Sequence, residues 1–545
     1  MRVGFAYFAG VVSAVIAAWW WLGAGVTMPP SPLKDGEKLY CVSYTPFRGL
    51  ETPLDRSTRA DPKRIDEDFS RLSRLTNCVR TYSTDLGLDQ VAEIAGRHGL
   101  KVIQGLWLGR EADRNRREIE MAIDLAKRYP NVIQSIVVGN EVLLRGEMSA
   151  MDLAGIIKQV KARVSVPVTY ADVWEFWLRN RELYDAVDFV TIHILPYWED
   201  FPIAARDAAA HIASIRRMVA TRFPDKEILI GETGWPSAGR MREGALPSPA
   251  NQAHVIHELL AIAKAEKFNV NVIEAFDQPW KRQLEGTVGG HWGFLDGDAR
   301  EFKFQWGEPV SNHPRWRQQA AIGVALAAFV FAAAAASVGR LKKSPDEPVH
   351  RLWIAVAFIA LISGSLTGLA IEAVPLESLG IGGWSTNLAL IVLAVLSPVI
   401  CSIALMRRVS IPAFANVLGR RAERSFDPLV MTLGMLFVAL TIAAVALALG
   451  LLFDPRYRDF PFAAMTAATV PFLVLAWLSS RLEMRSFISE KVSAATLMIA
   501  VAYIVPNESF ANWQALWLCG AFAALPIALL RSSRKPAATA HRNQI

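Results

Sequence analysis

The sequence predicts two fold classes in one chain: a (β/α)8 TIM barrel over residues 34–317 and an all-α polytopic transmembrane domain over residues 318–545. Residues 1–33 precede them as a transmembrane anchor and Pro-rich spacer. Three observations carry this. Short apolar runs alternate with amphipathic charged stretches through the first region, long apolar segments fill the second, and two of the short runs deliver a glutamate to their C-terminal ends, which form the functional face of such a barrel. At 545 residues and 52% hydrophobic composition, the chain is too long and too apolar for one ordinary soluble domain.

Residues 3–26 are an apolar run preceded by only one charge, Arg2. The run is longer than a signal-peptide core and suits a spanning helix, and Trp19-Trp20-Trp21 near its far end matches an interfacial aromatic belt. We read it as an uncleaved anchor, with cleavage near Ala24 as the weaker alternative. Met28-Pro29-Pro30-Ser31-Pro32 then makes a stiff, extended spacer.

Strands are predicted at 39–44, 78–82, 101–107, 132–141, 166–170, 188–194, 227–232 and 270–276. Amphipathic helices are predicted between them at 61–75, 89–98, 111–129, 149–164, 176–184, 203–223 and 248–267. An open doubly wound sheet would share this alternation. Carboxylates at the ends of strands 4 and 7 favour the barrel.

Seven apolar segments follow Trp316, at approximately 318–338, 353–374, 385–406, 429–453, 461–479, 492–506 and 513–530, the sixth short enough for a re-entrant hairpin. With the N-terminus inside, the inner flanks carry 17 basic residues: Arg2, Arg340, Lys342, Lys343, Arg351, Arg407, Arg408, Arg420, Arg421, Arg424, Arg481, Arg485, Lys491, Arg531, Arg534, Lys535 and Arg542. The short outer loops carry Arg456 and Arg458. This asymmetry predicts eight spans in a bacterial inner membrane, both termini cytoplasmic and the barrel on the periplasmic side. It also accounts for the formal charge of +7, because residues 34–317 hold 39 Lys and Arg against 40 Asp and Glu. Nucleic-acid binding therefore has no support.

Cys41 and Cys78 fall on the first two strands; two buried free thiols are the favoured reading, and a disulfide is open to them in an oxidising compartment. His193, His211, His254, His257 and His291 show no metal-ligand spacing, so no metal is expected. No nucleotide-binding motif is present either, and no cofactor is expected.

The two carboxylates are Glu141, in Val132-Ile133-Gln134-Ser135-Ile136-Val137-Val138-Gly139-Asn140-Glu141, and Glu232, in Ile228-Leu229-Ile230-Gly231-Glu232-Thr233-Gly234-Trp235-Pro236-Ser237. Paired carboxylates at strand ends are what cleavage of a glycosidic bond requires. Together the two motifs resemble glycoside hydrolase family 17, the β-1,3-glucanase and glucanosyltransferase family, over most of residues 36–306.

The resemblance implies a retaining mechanism, with Glu232 as nucleophile and Glu141 as acid/base, and implies that Asn140 contacts the sugar next to the nucleophile. Tyr197, after strand 6, could donate a hydrogen bond to Glu232 and favour its ionised form. Glu274-Ala275-Phe276-Asp277-Gln278-Pro279-Trp280-Lys281 resembles the family's strand-8 region, with Gln278 where relatives often have an acid. Tyr44, Tyr82, Tyr197, Trp235, Glu274, Trp280, Lys281 and Trp292 complete the candidate substrate-binding set, and Trp174, Trp177 and Trp198 on strand-end loops are further candidates for stacking on sugars.

Anchored family 17 barrels with a polytopic domain are similar to the members serving cyclic β-(1,3),(1,6)-glucan synthesis. That implies a β-glucan transglycosylase that cleaves β-1,3-glucan and passes the fragment to a sugar hydroxyl, forming β-1,6 linkages, with the bilayer and a glucan synthase as partners. An endo-β-1,3-glucanase and a glucan-export or binding protein are the alternatives.

Overall fold

The computed structural model describes residues 2–338, 349–419, 427–478 and 488–532. The basic residues assigned above to positions 340–343, 420–424, 481, 485, 534, 535 and 542 lie outside them. The chain divides into two compact units, Gly25–Val310 and a helical unit made of Met1–Ala24 with Ser311–Ile545.

A first helix, Arg2–Leu22 (α1), belongs to the helical unit. The other unit is a closed barrel of eight parallel strands in sequential order: Cys41–Ser43 (β1), Cys78–Arg80 (β2), Lys101–Leu106 (β3), Ile133–Asn140 (β4), Val168–Val173 (β5), Val190–His193 (β6), Ile228–Thr233 (β7) and Val270–Val272 (β8). Around them run Pro62–Leu72 (α2), Val91–Arg97 (α3), Ala112–Arg128 (α4), Ala150–Lys161 (α5), Trp174–Arg179 (α6), Ala205–Arg222 (α7) and Pro249–Glu266 (α8). Three of these helices start at a capping side chain. Asp61 accepts from Lys63 N ahead of Pro62, Ser149 from Asp152 N, and Ser248 from Asn251 N ahead of Pro249. Two differences from expectation concern helices: residues 176–184 are split between α6 and a 3-10 segment, Arg181–Ala186, and a short helix, Arg282–Gly289 (α9), follows β8.

Period-2 alternation sorts the strand residues. Cys41, Cys78, Ile103, Val137, Ala171 and Leu229 form an apolar layer inside the barrel, while Val42, Val79, Ile136, Val138, Ile228 and Ile230 join the larger core beneath the helices. One step further along the same inward rows lie Ser43, Arg80 and Gly231. Cys41 and Cys78 are disulfide-bonded, not free thiols. The parallel pairing of Val42 with Val79 sets them side by side, with Cα atoms 4.4 Å apart, and no sequence pattern reports that register.

The helical unit continues with Trp316–Ser337 (α10), Val349–Glu377 (α11), Gly380–Met406 (α12), Phe414–Leu418 (α13), Pro428–Phe453 (α14), Phe462–Leu478 (α15), Ile488–Glu508 (α16) and Trp513–Ser532 (α17). Seven helices among the described residues are long and apolar enough to cross a membrane, α1 included, and the 17-residue α15 falls short. The sixth segment, expected to be short, is thus long enough to span, while α15 is followed over 17 residues up to the edge of the described chain. α16 runs 21 residues because it extends through polar Ser489 and Glu490, whose carboxylate accepts from Phe414 N (2.8 Å). Val15 and Trp19 of α1 are buried in the same apolar cluster as residues of α10 and α11. A Cβ on Gly323 would stand 2.4 Å from the Gly364 carbonyl oxygen, so α10 and α11 cross at backbone contact distance.

Candidate active site

Strict alternation would turn Glu232 and Asn140 away from the barrel interior, because Ile230 and Ile228, two and four positions before Glu232, and Val138 and Ile136, two and four before Asn140, lie in the outer core. A register shift corrects each. The β6–β7 pairing slips between Ile192 and His193, so that His193 pairs with Glu232; the β4–β5 pairing slips between Val137 and Asn140. Each slip coincides with a glycine. Gly139 has φ +92°, and a Cβ on Gly231 would stand 2.4 Å from Thr191 Cγ2 and 3.2 Å from His193 Cδ2. Glu141 itself takes φ +53°, a rare conformation for a non-glycine residue, which brings its side chain to the barrel mouth.

The two carboxylates converge on a shared scaffold. His193 Nδ1 lies 2.8 Å from Glu141 Oε1 and its Nε2 3.6 Å from Glu232 Oε1. Arg80 Nη1 donates to Glu232 Oε1 (3.1 Å) and to the Gly231 carbonyl (2.6 Å), and Nη2 donates to Asn140 Oδ1 (2.6 Å). Arg80 Nη2 also stands 3.4 Å from His193 Nε2. A carboxylate oxygen accepts, so Nδ1 carries the proton that His193 gives to Glu141. Burial pushes the Glu141 carboxyl up, but the hydrogen bond and charge of His193, with Arg145 and Arg80, outweigh it and hold the group below the usual carboxylate range.

Further charges surround the pair. Glu274, at the end of β8, is buried and ion-paired with Lys281; burial, opposed by Lys281 and aided by the charge of Glu232, pushes its pKa up to about 7. Burial pulls Lys281 down, yet Glu274, Glu285 and Glu232 hold it above the usual lysine range. Glu285 is raised by burial, against Lys281 and with the charges of Glu141 and Glu232. Asp172, at the end of β5, is raised to about 6 by burial, with Tyr170 opposing and Glu141 adding to the shift.

The structure brings Glu141, Glu232, Asn140, Tyr82, Glu274 and Lys281 into one neighbourhood. Tyr82 lies under the Arg80 guanidinium, 4.8 Å from its ring centroid, and donates to Ser43 Oγ (2.8 Å). Trp280 is half-buried, with Lys281 Nζ 5.8 Å from its ring centroid.

Four other candidates are placed elsewhere. Tyr44 follows the inward Ser43, so it faces outward, fully buried against Phe69 and Phe276 with its hydroxyl on Asp68 (3.0 Å). Tyr197, Trp235 and Trp292 pack on one another in a buried cluster. The single hydroxyl proton of Tyr197 goes to the Arg240 carbonyl (2.9 Å), so the donor to Glu232 is Arg80, not Tyr197. Trp177 is also core, its Nε1 donating to the Thr191 carbonyl (2.8 Å), while Trp174 and Trp198 are half-buried. Gln278 is buried, its amide donating to the carbonyls of Thr45 and Phe276.

Arg80, His193, Asp172 and Glu285 were not singled out from the sequence as partners of the two glutamates. One signal was there: an arginine midway through an apolar strand, Cys78-Val79-Arg80-Thr81-Tyr82, has to meet a carboxylate or a carbonyl. Glu141, His193 and Glu232 also offer donor atoms within 4.8 Å of one another, a convergence suited to a metal ion that histidine spacing did not reveal. The fixed positive charge of Arg80, against both His193 and Glu232, disfavours a cation in that space.

Residues 41–293 match the family model of the BtgE/BtgC glycoside hydrolase domain. Among curated proteins, a glucan 1,3-beta-glucosidase of Candida albicans is 27% identical over 266 residues, covering 45% of this chain and 86% of that protein. A putative glucan endo-1,3-beta-glucosidase, btgC, of Aspergillus niger is 27% identical over 295 residues, covering 48% of this chain and 42% of its own length. Among solved structures, an active-site mutant of a β-1,3-glucanosyltransferase of Rhizomucor miehei in complex with laminaritriose is 26% identical, covering 50% of this chain and 97% of that one, with a TM-score of 0.44. Over residues 41–293 the barrel thus matches the BtgE/BtgC glycoside hydrolase domain, in line with the resemblance to family 17 that its two glutamate motifs carry.

Proposed function

We propose that this chain is a membrane-bound retaining β-1,3-glucan transglycosylase with Glu232 as nucleophile and Glu141 as acid/base. One observation carries the reading: the nearest oxygens of the two carboxylates lie within 4.8 Å, bridged by His193. Inversion needs about 6.5–9.5 Å between the carboxyl groups, to leave room for a water, whereas retention needs about 5–5.5 Å.

In the first half-reaction Glu232 attacks the anomeric carbon, the glycosidic bond breaks, and Glu141 gives its proton to the departing oxygen. A covalent glycosyl-enzyme results. Arg80 holds the attacking carboxylate on line through its bonds to the Gly231 carbonyl and Asn140. In the second half-reaction Glu141, now ionised, takes the proton of an incoming hydroxyl, whose oxygen displaces Glu232 from the sugar. A water in that role gives hydrolysis; a sugar hydroxyl gives transfer.

The substrate class follows the names of the relatives, which act on 1,3-β-glucan. Residence in a membrane is supported by the long apolar helices, and an oxidising outer compartment for the barrel by the basic-residue asymmetry and the Cys41–Cys78 disulfide. Tethering keeps the barrel beside glucan leaving a synthase, where a high local acceptor concentration favours transfer over water. The β-1,6 linkage and a role in cyclic glucan synthesis rest on the architectural resemblance.

The test is product analysis of the full chain in a bilayer mimic with linear β-1,3-gluco-oligosaccharides. Products longer than the substrate, with linkage read by NMR, support transfer. Only shorter sugars at high acceptor concentration would make the protein a hydrolase, and a Glu232→Ala variant that leaves glucan production in cells unchanged would sink the catalytic reading.

A further inference from the structure

Between α12 and α14 the helical unit holds a cavity of about 980 Å3. Its two ends differ chemically. Along its length the wall is aliphatic, with Leu390 and Leu393 of α12 and Leu436, Ala439, Ala443 and Leu447 of α14. Val392 and Ile442 of the same lining are 52% and 64% exposed, so the wall is open sideways. At the other end the lining turns polar: Glu377 closes α11, Ser385, Thr386 and Asn387 lie near the start of α12, and Tyr457 and Asp459 come from the connection between α14 and α15. Three separate stretches of chain thus contribute polar groups to one end of a cavity that is otherwise apolar.

We propose that this cavity binds an uncharged, sugar-headed amphiphile, with its alkyl chain along the aliphatic wall and its glycosyl headgroup at the polar end. The inference rests on the reading that the helical unit lies in a bilayer. Charge selects the headgroup. Glu377 and Asp459 bring two carboxylates, and the cation in the lining, Arg458, is engaged with Asp454 through a carbonyl bond (3.1 Å) and an ion pair (3.3 Å). A phosphate headgroup would set a further anion beside those two carboxylates. Sugar hydroxyls can instead donate to the carboxylates and to the Ser385 and Thr386 oxygens, and accept from the Asn387 amide, which also reaches Ser378 Oγ (2.9 Å).

The test uses the full chain, extracted from membranes with a styrene–maleic acid polymer so that no glycoside detergent is present, and radiolabelled dodecyl β-D-glucoside as probe. Saturable binding is expected, at least about tenfold tighter than that of dodecyl phosphate. Ala443→Trp, which fills the aliphatic wall, should abolish it. Glu377→Gln and Asn387→Leu should each weaken glucoside binding by about tenfold while leaving dodecanol binding unchanged. Equal binding of glucoside and phosphate, indifferent to both headgroup substitutions, would identify a groove for any bilayer lipid and overturn the proposal; so would the absence of saturable binding. An unchanged limited-proteolysis pattern of the helical unit shows that each variant is folded, and if Ala443→Trp is not, Ala439→Phe and the headgroup variants decide. A chain washed from membranes by alkaline carbonate would instead sink the bilayer reading, a separate outcome.

Discussion

Arg80 Nη1 lies 3.1 Å from Glu232 Oε1, and the two side chains are only 1% and 7% exposed. The arginine comes from β2 and the glutamate from β7, across the barrel. With its other contacts to the Gly231 carbonyl and Asn140, the guanidinium fixes both the carboxylate and the residue before Glu141.

Arg80→Met should therefore lower kcat/KM for β-1,3-gluco-oligosaccharides by about 10²–10³-fold, mostly in kcat, as loss of one preorganised donor typically does. A fall confined to KM would mean that Arg80 binds substrate without orienting the attacking carboxylate.

His193 bears on pH dependence. Glu141 must be protonated to serve as acid, so activity falls as pH rises through its pKa. Burial pushes that pKa up, while the hydrogen bond and charge of His193 pull it down. His193→Phe removes the pull, so the alkaline limb of the kcat/KM profile should move to higher pH. A limb that stays put, or moves to lower pH, would sink this role.

Glu274 bears on stability. Its pKa is raised from 4.5 in the reference state to about 7 in the fold. A raised carboxyl stabilises the fold fully below the unfolded pKa and loses that contribution as pH rises through the folded value. The melting temperature of the native protein should thus fall, relative to Glu274→Gln, between about pH 4.5 and pH 7. Parallel curves across that window would contradict it.

Two of the four cysteines should resist alkylation in denaturant until a reductant is added, since Cys41 and Cys78 are bonded and Cys401 and Cys519 are free. Cys78→Ala, opening a loop of sequence separation 37, should cost about 3–4 kcal/mol in a denaturant titration.

The tryptophans separate by exposure. Trp280→Ala should raise KM for longer oligosaccharides with little change in melting temperature, because its ring is half-buried beside Lys281. Trp235→Ala, at 0% exposure, should instead cost about 3–5 kcal/mol of stability. The reverse pattern would move the sugar platform onto the buried cluster.

What the sequence by itself determined was everything local periodicity can encode: eight strand segments alternating with helices, the long apolar segments, and Glu141 and Glu232 at the ends of β4 and β7. The β-glucan chemistry was legible in the residues flanking those two glutamates. The tertiary structure decided which way side chains point and what they meet. The slips at Gly139 and Gly231 turn the catalytic strand ends inward, against the alternation that sends Tyr44 outward. The pairing of Val42 with Val79 joined two cysteines read as free thiols, and closure of the barrel brought Arg80 to a carbonyl 151 positions away. Strand register is settled between segments, by packing across a closed sheet, so no stretch of sequence read alone contains it.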